Sequence, residues 1–168
     1  FQNNTDSFIP LLTATILTDI IIIFMNYYDI IFVSKQLNLW YQKFRLSAMI
    51  MDCAIIFLYA IGGAYLVNKL KANKTLLNLM IATVFVQVVG DLLFYAFYTA
   101  LPRGTVVFDF FKDYTKEIGA HALWADAVMM CLTLLFFVLF SKLSKKSQAI
   151  SLITIIYISQ YILYLKEQ

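Results

Sequence analysis

The sequence predicts an all-α membrane protein: a bundle of five transmembrane helices, or four in its shorter version, with a short interfacial amphipathic helix between spans three and four. Three observations carry that fold class. Of the 168 residues, 62% are hydrophobic and only 14% charged, whereas a soluble domain carries about 45–50% apolar and about 25% charged residues. The bilayer is the solvent that accepts such an excess. The apolar residues fall in long runs, and a helix of about 20 residues at ~1.5 Å rise crosses a hydrocarbon core. The 13 Lys and Arg residues all sit outside those runs.

Taken in order, the first span covers about residues 8–28, with Pro10 in its first turn, where proline is tolerated. The segment before it, FQNNTDS, has no basic residue, so the run reads as a retained span rather than a signal peptide. The link Asp29 to Arg45 sets Trp40 and Tyr41 beside Lys35, Lys43 and Arg45, which is the composition of an interfacial anchor. The second span, about 46–67, carries Ala60, Gly63 and Ala64 as a small-residue stripe for close helix packing. The third span covers about 76–100 and stops at Leu101-Pro102-Arg103-Gly104. Over about 105–118, Val107, Phe110, Phe111, Tyr114 and Ile118 oppose Asp109, Lys112, Asp113, Lys116 and Glu117, the pattern of a helix lying in the interface. The fourth span covers about 120–140. The fifth, about 149–165, is near the lower length limit, and the four-span version makes the first or last segment interfacial.

The whole chain is then a single helical membrane domain, integral and multi-pass. Its net charge of +3 and loop-borne lysines point to a membrane surface and not to nucleic acid. Cys53 and Cys131 fall inside spans without CxxC spacing and read as buried thiols. The short, purely basic loops at 68–75 and 141–148 place that face, with the N-terminus, in the cytoplasm. The sequons Asn3-Asn4-Thr5 and Asn73-Lys74-Thr75 hug the membrane and read as chance matches.

The candidate site begins with four aspartates inside the spans: Asp19, Asp52, Asp91 and Asp126. Counted from the side bearing the amphipathic helix, they lie nine, six, nine and six residues in, which puts all four at roughly 9–14 Å depth. One carboxylate near mid-bilayer costs about 2.5–3.5 kcal/mol, so the four should face the bundle interior. The spans contain no Lys or Arg to neutralise them. Protonation, hydrogen bonds from Gln87, Tyr95 or Thr15, or a bridging cation must serve instead. Gln87, Asp91, Tyr95 and Tyr98 share one helical face.

A second cluster adjoins the first. Asp109, Asp113, Glu117 and His121 recur every fourth residue, and Glu117 with His121 has the spacing of helical metal ligands. Lys112 and Lys116 beside the stripe offer a plainer role in charge compensation. Either way the stripe forms a vestibule above the aspartate layer, and a divalent cation is the cofactor class it suits. The chain lacks a P-loop, GxSxG, HExxH, CxxC and TVGYG, and no span carries a Lys for a retinal Schiff base, which excludes a rhodopsin.

Two segments carry a resemblance. In the first, Trp40, Tyr41, Lys43 and Phe44 precede Asp52. In the second, Asp91-Leu92-Leu93-Phe94-Tyr95 is followed by Pro102, Gly104, Asp109, Phe111-Lys112-Asp113-Tyr114, Asp126 and Met129-Met130. This pattern resembles a family of small polytopic membrane proteins of large nucleocytoplasmic DNA viruses. The resemblance implies a viral or virus-modified membrane, such as a virion inner membrane or a host membrane, and the partners expected beside the bilayer are viral capsid or membrane proteins or further copies of the chain. It implies no activity.

Three functions follow as expectations: binding or conduction of a proton or small cation through the aspartates; a structural role in a virion or its assembly membrane; and a metal-dependent intramembrane enzyme. The first is favoured over an enzyme because no catalytic motif is present.

Overall fold

The computed structural model describes residues 7–30 and 34–166. Asp6, Glu167 and the Asn3-Asn4-Thr5 sequon lie outside the described residues. Among the described residues the chain forms seven helices and no strand. They are α1 (Phe8–Tyr27), α2 (Lys35–Phe44), α3 (Leu46–Lys69), α4 (Leu76–Ala100), α5 (Val106–Ile118), α6 (His121–Ser141) and α7 (Lys145–Leu163).

Four of these, α1, α3, α4 and α6, are long and apolar enough to cross a membrane. The fold is therefore the expected all-α membrane bundle, with the amphipathic helix α5 where the 105–118 pattern puts it. The fifth expected span is present as the helix α7, but it is not among the four. Its first turn takes up Lys145, Lys146, Ser147 and Gln148 from the expected basic loop 141–148, and these polar residues dilute its apolar run.

Local sequence sets the helix ends. Thr75 caps α4 by accepting from the Asn78 amide at 3.2 Å, and Ser144 caps α7 by accepting from the Ser147 amide at 3.2 Å. The stretch 35–44 corrects the expectation of an irregular link. Leu37, Trp40, Tyr41 and Phe44 recur at helical spacing, and Ser34 caps the helix by accepting from the Leu37 amide at 3.0 Å. The chain then turns sharply into α3 at Arg45, whose φ of 45° is uncommon for a residue with a side chain.

The four apolar helices form a ring in which α1 packs on α3, α3 on α4, α4 on α6 and α6 on α1, while α7 leans on α1 from outside. The stripe Ala60, Gly63 and Ala64 packs as expected: Gly63 meets the backbone of Thr83 on α4. Thr133 on α6 donates to Thr18 on α1 at 3.0 Å, a buried tie between these helices. Large side chains such as Phe85, Leu93 and Ile153 point outward and stay exposed, as lipid-facing positions do. One end of the ring is covered by α2 and α5, which join α1 to α3 and α4 to α6 and pack on each other.

Candidate functional site

The covered end of the ring holds a cavity of about 1250 Å³, open on the side lined by the exposed Leu92, Leu93 and Val106. It lies where Asp52, Asp91 and Asp126 come in from α3, α4 and α6, and all three line it. Among the described residues, no Lys, Arg, His or Glu is in the lining. The depth count explains this meeting: each aspartate sits one to three turns from the helix end that α2 and α5 cover.

Asp19 stands behind this cavity. It is fully buried on α1, within electrostatic reach of Asp52, and the Cys53 thiol donates to its Oδ2 at 3.9 Å. Its other oxygen, Oδ1, is buried without a partner. Thus the four expected aspartates fall into a row of three along the cavity and one set deeper, next to Asp52. Thr15 is not its companion: the Thr15 hydroxyl donates to Leu11 O of its own helix at 2.9 Å.

Each cavity carboxyl has a different set of partners. The Trp40 indole donates from α2 to Asp52 Oδ2 at 3.0 Å. Asp91 Oδ1 accepts from the Tyr59 hydroxyl at 2.7 Å, and its Oδ2 accepts from Gln87 one turn earlier. The Gln87 amide also donates to Leu123 O at 3.4 Å, while its own Oε1 is buried and unpartnered. Asp126 interacts electrostatically with Asp91 and Asp52 but accepts no hydrogen bond from the described residues. Tyr95 lines the cavity yet remains exposed, and it makes a ring contact with Tyr98 and no link to the aspartates.

Two further phenols, which the sequence placed on an interfacial anchor and an apolar stripe rather than in the site, reach the same cluster. Tyr41 on α2 is buried beside Asp52 and Asp19 and interacts with both. Burial pushes its phenol well above the ordinary value, and the two carboxyls push it further. Tyr114 on α5 behaves alike: burial raises it first, and Asp126, Asp52 and Asp91 add to the rise. Tyr41 hydrogen-bonds Asp52, whereas Tyr114 meets the acids through electrostatics alone. The signal for Tyr41 lay in its helical spacing from Leu37 and Phe44, and for Tyr114 in its place on the apolar stripe of α5.

The vestibule stripe is not continuous. Gly119, at φ 58°, ends α5 and turns the chain into α6, so Glu117 and His121 lie on different helices and lose the ligand spacing. His121 is exposed, with Nδ1 3.2 Å from Ile118 O. The three acids are each occupied. Asp109 accepts from the Gly104 amide at 2.8 Å. Asp113 pairs with Arg103 at 2.6 Å. Glu117 accepts from the amides of Lys35 and Gln36 at 2.8 and 3.1 Å, capping α2 and docking it on α5. Among the described residues no group of three or more His, Cys, Asp or Glu side chains is placed to hold a metal ion.

The fold and site together define a class: a helical membrane bundle with an acidic, aromatic-lined interior closed at one end by two short helices. Family models, curated proteins and solved structures were compared with the chain, and none matches.

Proposed function

We propose that this multi-pass membrane protein binds or conducts a proton or small cation through Asp52, Asp91 and Asp126, with Asp19 as a deeper relay position next to Asp52. The observation that carries the reading is the convergence of three carboxyls on one cavity whose lining has no basic side chain among the described residues. Like charges gathered in a low-dielectric interior attract a cation or retain protons. The phenols of Tyr41 and Tyr114 stand at the cluster as polar groups that make no ion pair with it. The resemblance of residues 40–52 and 91–130 to the viral family supports a viral or virus-modified membrane as the setting.

The test is flux into liposomes containing the purified chain, read with a proton-sensitive dye and with alkali-ion gradients. Asp91→Asn should abolish the flux. Liposomes with the wild-type chain that behave like empty ones would sink the transport reading.

A second reading, a structural protein of a virion or assembly membrane, is favoured by a specific observation. The bonds Trp40–Asp52 and Tyr59–Asp91 tie α2 to α3 and α3 to α4, as helix-fixing carboxyls would. It predicts no flux and co-purification with capsid or membrane partners. The metal-dependent enzyme reading would require a ligand set, and Glu117 and His121 supply none together.

A further inference from the structure

The cavity is larger and more apolar than a proton or alkali ion needs. Its 1250 Å³ exceeds the about 300–1,000 Å³ usual for pockets that hold drug-sized ligands. A hard cation such as calcium needs six to eight oxygen ligands at close range, and no such gathering of acids is formed by the described residues. Beyond the three aspartates, most of the wall is apolar, including Phe94, Phe108, Val128 and Met129. Aromatic faces, among them Trp40, Tyr59 and Tyr114, stand close to the acids. The negative faces of such rings attract ammonium groups.

The hydrogen bonding singles out one acid. Asp52 is engaged by Trp40 and Asp91 by Tyr59 and Gln87, while Asp126 accepts no bond from the described residues and faces the same space. A carboxyl left in reserve at the edge of an apolar chamber needs a partner that brings one positive charge and an apolar body.

We propose that the cavity beneath α2 and α5 binds an amphipathic organic ammonium ion, with its cationic head on Asp126 between Asp52 and Asp91 and its apolar body along the Phe94, Phe108 and Val128 wall. The proposal names the substrate class for the cation site of the preceding section and rests on that reading of the aspartates. The head could arrive on a free amine or on a choline-type lipid headgroup, and the chemistry that recognises it is the same.

The experiment uses the full chain in maltoside micelles, which carry no ammonium group. The probe is 4-phenylbutyl-trimethylammonium, followed by equilibrium dialysis and by Trp40 fluorescence in a Trp124→Phe background. Saturable binding of one probe per chain is expected, with 4-phenylbutanol and 4-phenylbutyrate at least tenfold weaker. Asp126→Asn should weaken binding at least tenfold by removing the charge. Ala125→Phe should do so by filling the chamber while leaving the acids in place and Trp40 the sole tryptophan. Displacement by dihexanoyl phosphatidylcholine assigns the head to lipid, and lack of displacement assigns it to a free amine. Equal binding of the alcohol, no saturable binding, or full affinity in both variants overturns the proposal. Proton or alkali-ion flux without ammonium binding defeats this inference alone. Ammonium binding without any flux defeats the transport reading and leaves the site standing.

Discussion

The Tyr59 hydroxyl donates to Asp91 Oδ1 at 2.7 Å while its ring lies against Gly90, so one side chain of α3 engages two neighbouring positions of α4. A Cβ at position 90 would stand 2.8 Å from Tyr59 Cζ, too close for the ring to stay. Glycine at 90 is therefore what lets the phenol reach the acid.

Tyr59→Phe tests that arrangement. The ring still packs on Gly90, but Asp91 Oδ1 loses its only donor, and an unpaired polar group away from water costs about 1–3 kcal/mol. The variant should unfold at lower temperature or lower denaturant concentration in micelles. Gly90→Ala should lower stability too, by displacing the ring and the hydrogen bond together. If Tyr59→Phe is as stable as wild type, the bond contributes nothing and Asp91 is held by Gln87 alone.

The α3–α4 seam depends on Gly63. A Cβ there would lie 2.7 Å from Thr83 Cα and 2.8 Å from Thr83 N. Those are backbone atoms, so relief requires the two helices to separate. Gly63→Ala should cost on the order of 1–3 kcal/mol, the range for overpacking. Gly62→Ala should cost less, because its Cβ meets a Val86 methyl at 2.9 Å, and that side chain can move. Denaturant titrations of the two variants in the same detergent rank them, and equal losses would refute the backbone argument.

How much of this was legible beforehand follows from the physics of each residue. The apolar helices α1, α3, α4 and α6 were visible because a span must satisfy its backbone internally over about 20 residues, which leaves a long unbroken signal. The meeting of Asp52, Asp91 and Asp126 was visible because depth along a helix is a matter of counting. What counting does not give is rotation about the helix axis. Asp19 turns toward Asp52 and Cys53 rather than toward the cavity, and Tyr95 turns outward although it shares a face with Asp91. The fate of the 109–121 stripe was hidden for another reason. Glu117 is spent on the amides of Lys35 and Gln36, about eighty residues away in sequence. Long-range capping leaves no local periodicity. The Gly119 break was the one sequence signal that the stripe would not continue.

The Arg103–Asp113 pair should respond to acid in a defined direction. The Arg103 guanidinium hydrogen-bonds Asp113 and holds its carboxyl below the ordinary 3.8. A group whose pKa is lowered on folding stabilises the fold above its unfolded value and loses that contribution as pH falls through the lowered one. The link from α4 to α5 should therefore loosen only below about pH 4. Both groups are exposed, so the loss should stay local. A carbon-13 titration of the Asp113 carboxyl should give a depressed midpoint, and Arg103→Gln should return it toward 3.8. A midpoint unchanged by Arg103→Gln would mean that the pair does not form in solution.

The Trp40–Asp52 bond is the joint between the cap and the acidic cavity, and a double-mutant cycle isolates it. The Trp40 indole is buried, stacked on Phe110 with ring centroids 4.9 Å apart, and donates to Asp52 at 3.0 Å. Trp40→Phe keeps an aromatic ring against Phe110 but removes the donor, so Asp52 must then be satisfied by Tyr41 alone. Asp52→Leu removes the acid and leaves the indole N–H without an acceptor. Each single change takes one hydrogen-bond partner from a buried polar group and should cost about 1–3 kcal/mol. The double change strands neither, so its cost should fall short of the sum, by about 0.5–3 kcal/mol for groups in contact. Denaturant unfolding of the four proteins gives this coupling directly. Additive losses would show that α2 is held by its apolar stripe and by the Glu117 cap, and that Asp52 stands in the cavity without the cap as its partner.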